Sequence, residues 1–166
     1  MKRVRAYRHQ SRQVALQVLY AVDVVDRLRS RAAPTEEVTF EGVAANFDLP
    51  EGARAFAKEL VAGVSAHRKA LDARITEHAR NWRLSRMAAV DRNILRLAVY
   101  ELEHCDTPAS VILDEAVELA RRLGDDPSPA FVNGVLDAVA RSVRGAELDS
   151  ARRRPRVRRS TREGNP

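Results

Sequence analysis

The apolar residues of this 166-residue chain recur at spacings of three and four along most of its length, and this period limits the fold more than any other feature. The first such stripe consists of Ala15, Val18, Leu19, Val22 and Val25. Residues spaced in this way lie on one face of an α-helix, whereas a half-buried strand alternates with a period of two. No alternating pattern competes anywhere in the sequence. The sequence therefore predicts an all-α fold.

Proline, glycine and capping residues divide these stripes into separate helices. The first helix is expected from about Arg8 to about Arg29, and a long third helix carries its stripe from Phe56 to Ile75. The other expected boundary signals are Thr35 before a short second helix, a break at 48–52, Ser85 before the fourth helix, Thr107-Pro108 after it, Gly124 after the fifth, Ser128-Pro129 before the last helix and Gly145 after it.

An Asn-Gly pair stands in the middle of the last predicted helix. Asn133-Gly134 would normally indicate a hairpin turn, and a glycine inside a helix costs roughly 1 kcal/mol relative to alanine. Close helix packing is the simpler explanation for Gly134. The alternative is that Asn133 stands where a binding partner reaches it, and the sequence leaves this second role open.

Positive charge is concentrated at the two ends of the chain. Residues 1–22 hold five bases and no acid, residues 150–166 hold seven arginines against Glu163, and residues 23–149 hold 17 bases and 22 acids. An acidic body with two basic ends is typical of a protein that binds a phosphate polymer. An acidic membrane surface is the second candidate partner, and a basic N-terminus that is merely solvated is the alternative to any binding role.

Length and composition favour one helical domain followed by a tail. With 45% hydrophobic and 5% aromatic residues, the chain can bury a core of packed helices. We expect a helical domain with a basic N-terminal arm over residues 1–147 and a disordered, Arg-rich tail over residues 148–166. No apolar run reaches the length of a membrane helix or a secretory signal, and an organelle transit peptide fits poorly because the basic helix continues into core positions. These features predict a cytoplasmic protein that does not bind membranes.

The residues that usually carry chemistry form no recognisable site in the sequence. The four histidines lie on separate segments without the paired spacing of metal ligands. Cys105, the single cysteine, has no motif around it, and one cysteine excludes an intramolecular disulfide. Glycine-rich phosphate loops and nucleophile elbows are also missing. We therefore expect a binding protein, not an enzyme, with no metal and no cofactor.

Five segments, in the same order, resemble the family of the bacterial transcription antitermination factor NusB. One such motif would be weak evidence, whereas five in register over about residues 8–143 make the resemblance specific. The segments are 11–20 (SRQVALQVLY), 56–64 followed by Leu71-Asp72 and Ile75, 90–102 (VDRNILRLAVYEL), 111–120 and 131–137 (FVNGVLD).

The resemblance implies an all-α fold of two small helical bundles with about six to seven helices. It also implies binding to the single-stranded boxA element of ribosomal RNA leaders, together with the ribosomal protein that acts as NusE. In that complex RNA polymerase reads through terminators in ribosomal operons, and some family members pair as homodimers. The residues implied for RNA binding are Arg5, Arg8, Arg12, Tyr20, Phe131 and Asn133, and those implied for the protein partner are Asp91, Tyr100 and Glu101.

Some positions depart from the family pattern, and two other functions are conceivable. Residues 7–10 read Tyr-Arg-His-Gln where many members have denser arginines, and Asp114 stands where Asn is common. The same fold occurs as the RNA-binding domain of ribosomal RNA cytosine methyltransferases, but nothing in this chain would bind S-adenosylmethionine. A helix-turn-helix DNA-binding regulator is disfavoured because the basic residues lie at the chain ends.

Two of the implied RNA-binding residues carry an expectation about their surroundings. Arg12 lies outside the apolar stripe of the first helix, so we expect that its removal weakens RNA binding without unfolding the domain. Phe131 precedes the stripe of the last helix, and the pattern leaves open whether its ring is exposed to stack on a base or buried in the core. The Arg-rich tail is expected to neutralise phosphates without reading sequence.

Overall fold

Six α-helices and no strand occur in the part of the chain that the structure describes, which confirms the predicted all-α fold. This computed structural model gives the backbone of residues 2–29 and 40–153 and the side chains of residues 7–29, 40–145 and 147. No helix in these ranges is both long and apolar enough to cross a membrane. The helices are α1 (Lys2–Arg29), α2 (Phe40–Ala44), α3 (Glu51–His78), α4 (Ala89–His104), α5 (Ala109–Leu123) and α6 (Ser128–Arg153), with a 3-10 turn at Leu84–Arg86.

The apolar stripes of these helices meet in two hydrophobic clusters. The larger cluster lies between α1, α3, α4, α5 and α6, and Leu60, Leu95 and Leu136 are fully buried in it. The smaller cluster lies between α1, α2 and the first turns of α3, around Val18 and Ala57. Helix α4 is buried along most of its length because α1, α3, α5 and α6 all pack against it. Two clusters agree with the two small bundles that the family resemblance implies.

Two glycines allow neighbouring segments to approach closely. A Cβ atom on Gly63 would overlap the phenol ring of Tyr100, so the bare backbone of α3 makes room for a side chain of α4. A Cβ atom on Gly124 would lie 2.6 Å from Cβ of Ser128, so this glycine lets α6 begin directly beside the end of α5. In both places glycine is required by space.

Helix α4 begins after the residue that the sequence predicted as its cap. The prediction for Ser85 is wrong, because Ser85 lies in the 3-10 turn and α4 starts without a side-chain cap. Arg92 holds the turn in place by donating from Nη1 to the carbonyl oxygens of Leu84 at 3.3 Å and Met87 at 2.8 Å. Thr35, the expected cap of α2, lies outside the described residues.

Helix α6 consists of two helical segments that meet at a kink beside Gly145, where the sequence predicted the end of the helix, and the second segment continues to Arg153. Its backbone leaves helical geometry at Arg144 (φ −132°, ψ 34°) and then resumes. The predicted boundary between residues 147 and 148 therefore falls inside a helix. The division into a domain and a tail stays a prediction, and residues 154–166 lie outside the described residues.

Interactions with distant segments hold α6 at the kink and just beyond it. The guanidinium of Arg144 donates to the carbonyl oxygens of Leu102 and Thr107 at 2.7 Å each, at the end of α4. Glu147 accepts a hydrogen bond of 2.8 Å from the backbone N–H of Ala109, at the start of α5. These side chains satisfy backbone groups that a helix end leaves unpaired. Apolar periodicity does not register such contacts.

Candidate nucleic-acid interface

The basic N-terminal residues belong to α1, whose backbone is helical from Lys2 onward. Positions 5, 8 and 12 have the spacing of one helical face, and the side chain of Arg5 lies outside the described ones. Arg8 is exposed, and its guanidinium carbon lies 4.6 Å from the centre of the Phe56 ring. Among the described side chains, no carboxylate pairs with Arg8. Arg8 is therefore a cation that is held by an aromatic ring and still available to an anion.

Arg12 is buried, which contradicts the premise that its side chain lies free outside the core. Only 3% of the residue is exposed. Its Nε and Nη2 atoms donate to the two carboxylate oxygens of Glu101 at 2.8 and 2.7 Å, and Glu115 lies 3.8 Å from Nη1. Burial by itself would lower the pKa of Arg12, but the hydrogen bonds and charge of Glu101 and the charge of Glu115 outweigh it and raise the pKa.

The three residues implied for a protein partner do not form one surface. Glu101 is buried against Arg12 on the side of α1, and Asp91 is buried in the first turn of α4. Tyr100 is half-buried, with its ring placed over Gly63 of α3. The structure therefore shows these side chains in three different surroundings and not as one acidic face. Their part in binding a protein stays a prediction.

Asp91 is a buried carboxyl group without a cation. Its Oδ1 atom has no hydrogen-bond partner among the described residues. Burial raises the pKa of Asp91, the charge of Asp125 adds to the rise, and a hydrogen bond with Ser128 acts in the opposite direction. A buried acceptor left without a donor costs about 1–3 kcal/mol. Asp91 thus carries one unsatisfied buried oxygen where α4 packs against the start of α6.

Asp23 of α1 is a buried carboxylate that is fully used. It accepts hydrogen bonds from Arg92 and Asn93 of α4 and from Arg68 of α3. Burial by itself would raise the pKa of Asp23, but the hydrogen bonds from Arg92 and Asn93 and the charges of Arg92 and Arg96 outweigh it, so the pKa is lowered. This cluster and the Arg12–Glu101 pair fix α1 against α4 at two points.

Tyr20 and Phe131 both lie near the N-terminal end of α4. Tyr20 is exposed and lines a groove of about 370 Å³ together with Val90, in the first turn of α4, and Leu123. Phe131 is half-buried, because its ring packs against the larger hydrophobic cluster and lies 5.3 Å from the ring of Trp82, centre to centre. Phe131 combines the core contact and the partial exposure that the sequence treated as alternatives.

Asn133 and Gly134 are both exposed on α6. Nothing lies within 4 Å of the position that a Cβ atom on Gly134 would take, so the prediction that close helix packing explains this glycine is wrong. Without a side chain at this position, the helix surface beside Asn133 is open to close approach by the backbone of a ligand.

The implied RNA-binding residues fall at opposite ends of α4. Arg8 lines a pocket of about 540 Å³ with Tyr100 and His104, at the C-terminal end of α4. Tyr20 and Phe131 lie at the other end. The 16 residues of α4, at 1.5 Å per residue, separate the two ends by about 24 Å. A ligand that contacts both sets of residues must be extended.

Sequence reasoning missed the most exposed aromatic residue of the described chain. Trp82 is 56% exposed, and it falls between the predicted third and fourth helices, outside every apolar stripe. The sequence around Trp82 contained a usable signal, because Arg80, Arg83 and Arg86 surround it. Aromatic side chains interleaved with arginine or lysine are typical of nucleic-acid-binding surfaces.

The histidines take part in local contacts. His9 lies with Nδ1 2.7 Å from Glu115 Oε2, and His67 and His78 each lie 2.9 Å from a carbonyl oxygen one turn earlier in α3. Among the described side chains, no group of three His, Cys, Asp or Glu residues could hold a metal ion.

Comparison with known protein sequences gives a consistent result. The NusB family model matches residues 9–141. The transcription antitermination protein NusB of Anaeromyxobacter dehalogenans is 47% identical over 134 residues, which cover 80% of this chain and 89% of that protein. The protein of the same name from Solibacter usitatus is 46% identical over 140 residues, covering 83% and 91% of the two chains.

Solved structures are similar over the same part of the chain. A structure of NusB from T. maritima matches with a TM-score of 0.71 and 29% identity, covering 86% of this chain and 96% of that chain. A crystal structure of antitermination factors NusB and NusE in complex with dsRNA matches with a TM-score of 0.65 and 31% identity, covering 82% and 98%.

Proposed function

Because the chain belongs to the NusB family, we propose that it is an RNA-binding transcription antitermination factor. The relatives that it matches carry that activity in their names, and one structural neighbour is bound to NusE and RNA. We further propose that its RNA is the single-stranded boxA element of ribosomal RNA leaders, bound together with the ribosomal protein that acts as NusE. The complex would let RNA polymerase read through terminators in ribosomal operons, in the cytoplasm and without catalysis by this chain.

The observation that carries this proposal is the position of the cationic row of α1. Arg12 and Glu101 form a buried ion pair at the base of the row. One turn towards the N-terminus, Arg8 is exposed over Phe56, and no described carboxylate forms an ion pair with it. The helix then continues through position 5 to Lys2. Because the helix is anchored in this way, its positive charges are already held in place, and little conformational entropy is lost when they bind a polyanion.

Arg12 has a positioning role in this proposal. Its guanidinium is bound to Glu101 through Nε and Nη2 and lies beside Glu115, and only 3% of the residue is exposed, so little of it is open to a phosphate. It fixes the direction in which α1 leaves the core, and with it the place of Arg8. We propose that Arg5 and Arg8, near the N-terminus of α1, contact RNA. Tyr20, Phe131 and Asn133 would form the other contacts.

The first test is a titration of labelled RNA followed by fluorescence anisotropy. Wild-type protein should bind a boxA-like single strand more tightly than a scrambled strand, duplex RNA or duplex DNA at the same salt concentration. Replacing Arg8 with alanine should weaken boxA binding by about 1.5–3 kcal/mol, the value of a charge-assisted contact. The matched control is Arg141→Ala, which removes an exposed arginine of α6 that is paired with Asp137. Equal affinity of the Arg8 and Arg141 variants would remove α1 from the RNA site.

The same titration tests the partners and the tail. Adding the ribosomal protein should tighten boxA binding, and sedimentation at each protein concentration shows whether a homodimer competes with RNA.

Deleting residues 154–166 removes five arginines. For each phosphate that is no longer neutralised, the slope of log affinity against log salt concentration should become shallower by roughly 0.7. The preference for boxA over the scrambled strand should survive this deletion, because the tail is assigned no sequence reading.

A further inference from the structure

The turn between α3 and α4 contains three arginines whose side chains have no partner among the described residues. Most arginines of the described chain are bound to a carboxylate or to backbone carbonyl oxygens, as Arg12, Arg92 and Arg144 are. Arg80, Arg83 and Arg86 are exposed, and their guanidinium groups make no hydrogen bond or ion pair within the described residues. Of the nearest acidic residues in sequence, Glu77 pairs with Arg74, and Asp91 is buried and forms no ion pair with any described arginine. We call residues 80–86 the Trp82 turn.

Trp82 stands between these arginines with more than half of its surface exposed. One part of its ring packs against Phe131, with the ring centres 5.3 Å apart and the planes tilted by 59°. The remaining exposure of an indole is unfavourable in water unless a partner covers it. A planar, aromatic partner that also carries negative charge would satisfy both Trp82 and the arginines around it.

The backbone of the Trp82 turn is held rigidly. Asn81 adopts a left-handed conformation (φ 68°) that turns the chain after α3, and the N–H of Trp82 donates to the carbonyl oxygen of Ala79 at 3.1 Å. From α4, the buried side chain of Arg92 donates to the carbonyl oxygens of Leu84 and Met87. The position of Arg92 is itself fixed by its hydrogen bond to the buried Asp23. A surface prepared in this way loses little conformational entropy when it binds.

We infer that the Trp82 turn is a second contact site for single-stranded RNA, in which Trp82 stacks on a base and Arg80, Arg83 and Arg86 bind phosphates. This inference rests on the proposed RNA-binding function and extends it. Single-stranded nucleic acid combines exposed bases with a charged backbone, which matches an exposed indole framed by guanidinium groups. In a duplex the faces on which Trp82 would stack are covered by the neighbouring base pairs, so the site favours unpaired RNA.

The position of the turn defines the path of the strand. Through Phe131 the turn is continuous with the aromatic residues at the N-terminal end of α4, whereas Arg8 lies at the C-terminal end about 24 Å away. RNA that reaches from Arg8 to Trp82 must run along the length of α4. Affinity should therefore depend on the length of the strand, because a short RNA contacts only one end.

The experiment uses the full chain and its single tryptophan as the reporter. A boxA-like RNA is titrated into wild-type protein while RNA anisotropy and tryptophan emission are recorded together. Binding should quench the emission in parallel with the anisotropy change, since Trp82 is the chain's sole tryptophan. Binding without any change in emission would overturn the stacking role. If wild-type protein binds no RNA at all, the proposed function fails and not merely this site.

Variants then separate the contribution of the turn from general charge. The triple variant Arg80→Ala, Arg83→Ala and Arg86→Ala should lower the salt slope for a long RNA by about 2 and weaken its binding at least tenfold. The control triple variant, Lys58→Ala, Lys69→Ala and Arg141→Ala, removes the same charge from exposed positions of α3 and α6 and should keep the wild-type slope. Equal slopes for the two triple variants would overturn the inference.

Substitution of Trp82 gives an independent measurement. Trp82→Ala should weaken the long RNA by about tenfold, and Trp82→Phe should retain most of the affinity because a phenyl ring also stacks. A short RNA confined to the Arg8 end should bind all variants equally. Thermal melting checks that each variant is folded. If the variants bind RNA normally but lose the ribosomal protein, the turn is a protein-binding surface and the inference is wrong.

Discussion

The arginines at the α1–α4 contact and the arginines of the Trp82 turn are the same residue type in opposite settings. Arg12, Arg92 and Arg96 are almost completely buried, and each is bound to a carboxylate from another helix. Arg80, Arg83 and Arg86 are exposed and, within the described chain, bound to none. A buried arginine that is bound to a carboxylate from another helix stabilises the fold. An exposed arginine that no carboxylate binds is available to a ligand.

The largest effect expected from this comparison is the loss of stability in Arg12→Ala. This substitution would leave Glu101 buried without its cation, and breaking a buried pair in this way costs about 3–5 kcal/mol. Urea denaturation should show this loss as a lower midpoint with an unchanged slope. The matched control, Arg83→Ala, removes an exposed arginine and should change stability by no more than about 0.5 kcal/mol.

A double variant shows whether the Arg12–Glu101 pair itself is responsible. Adding Glu101→Gln to Arg12→Ala removes the uncompensated negative charge, so part of the lost stability should return. An Arg12→Ala protein as stable as wild type would mean that the pair contributes nothing to folding. The side chain of Arg12 would then be available to bind RNA, as the sequence suggested.

The apolar core of this protein could be predicted from its sequence, whereas the setting of its arginines could not. The all-α fold could be predicted, because the stripes that start with Ala15 and Val18 have a helical period and the core they form is apolar. The setting of Arg12 could not, because the stripe of α1 registers apolar neighbours only, while Glu101 and Glu115 arrive from helices about 90 and 100 residues further along the chain.

The second segment of α6 and the role of the Trp82 turn were missed for related reasons. The continuation of α6 past Gly145 depends on Arg144 and Glu147 meeting the ends of two other helices, which no local pattern encodes. Trp82 and its arginines were visible in the sequence, but only the structure shows that those arginines lack the carboxylates that other arginines have. The family resemblance supplied the candidate residues at the site without saying which of them are buried.

A smaller effect is expected from the pair of buried carboxyl groups. Asp23 is surrounded by arginines, whereas Asp91 has none and has a raised pKa. The raised pKa means that the folded protein holds this proton more tightly than the unfolded chain does. The contribution of protonated Asp91 to stability is therefore present below the unfolded pKa and is lost as the pH rises through the folded pKa.

Asp91→Asn should consequently stabilise the protein at pH 7, by about 1 kcal/mol, because an amide has no charge to bury and can donate a hydrogen bond. The gain should shrink as the pH falls towards the range in which Asp91 is itself protonated. Thermal melting of both proteins across that pH range measures it. A variant that is less stable than wild type at pH 7 would show that the charged form of Asp91 is favoured by a partner that the comparison with Asp23 overlooks.

An effect on stability as small as that of Asp91→Asn is expected at Gly134, where stability and binding should change in opposite directions. A Cβ atom there meets nothing within 4 Å, so Gly134→Ala should stabilise α6 by about 1 kcal/mol through helix propensity alone. If an RNA backbone approaches the helix beside Asn133, the added methyl group should also weaken boxA binding, whereas an alanine at the equally open Gly52 near the start of α3 should leave binding unchanged. Melting temperatures and anisotropy titrations of the two variants separate these effects. A Gly134→Ala protein that is more stable and binds RNA as tightly as wild type would place the strand away from this face of α6 and restrict its contacts to the arginines of α1 and of the Trp82 turn.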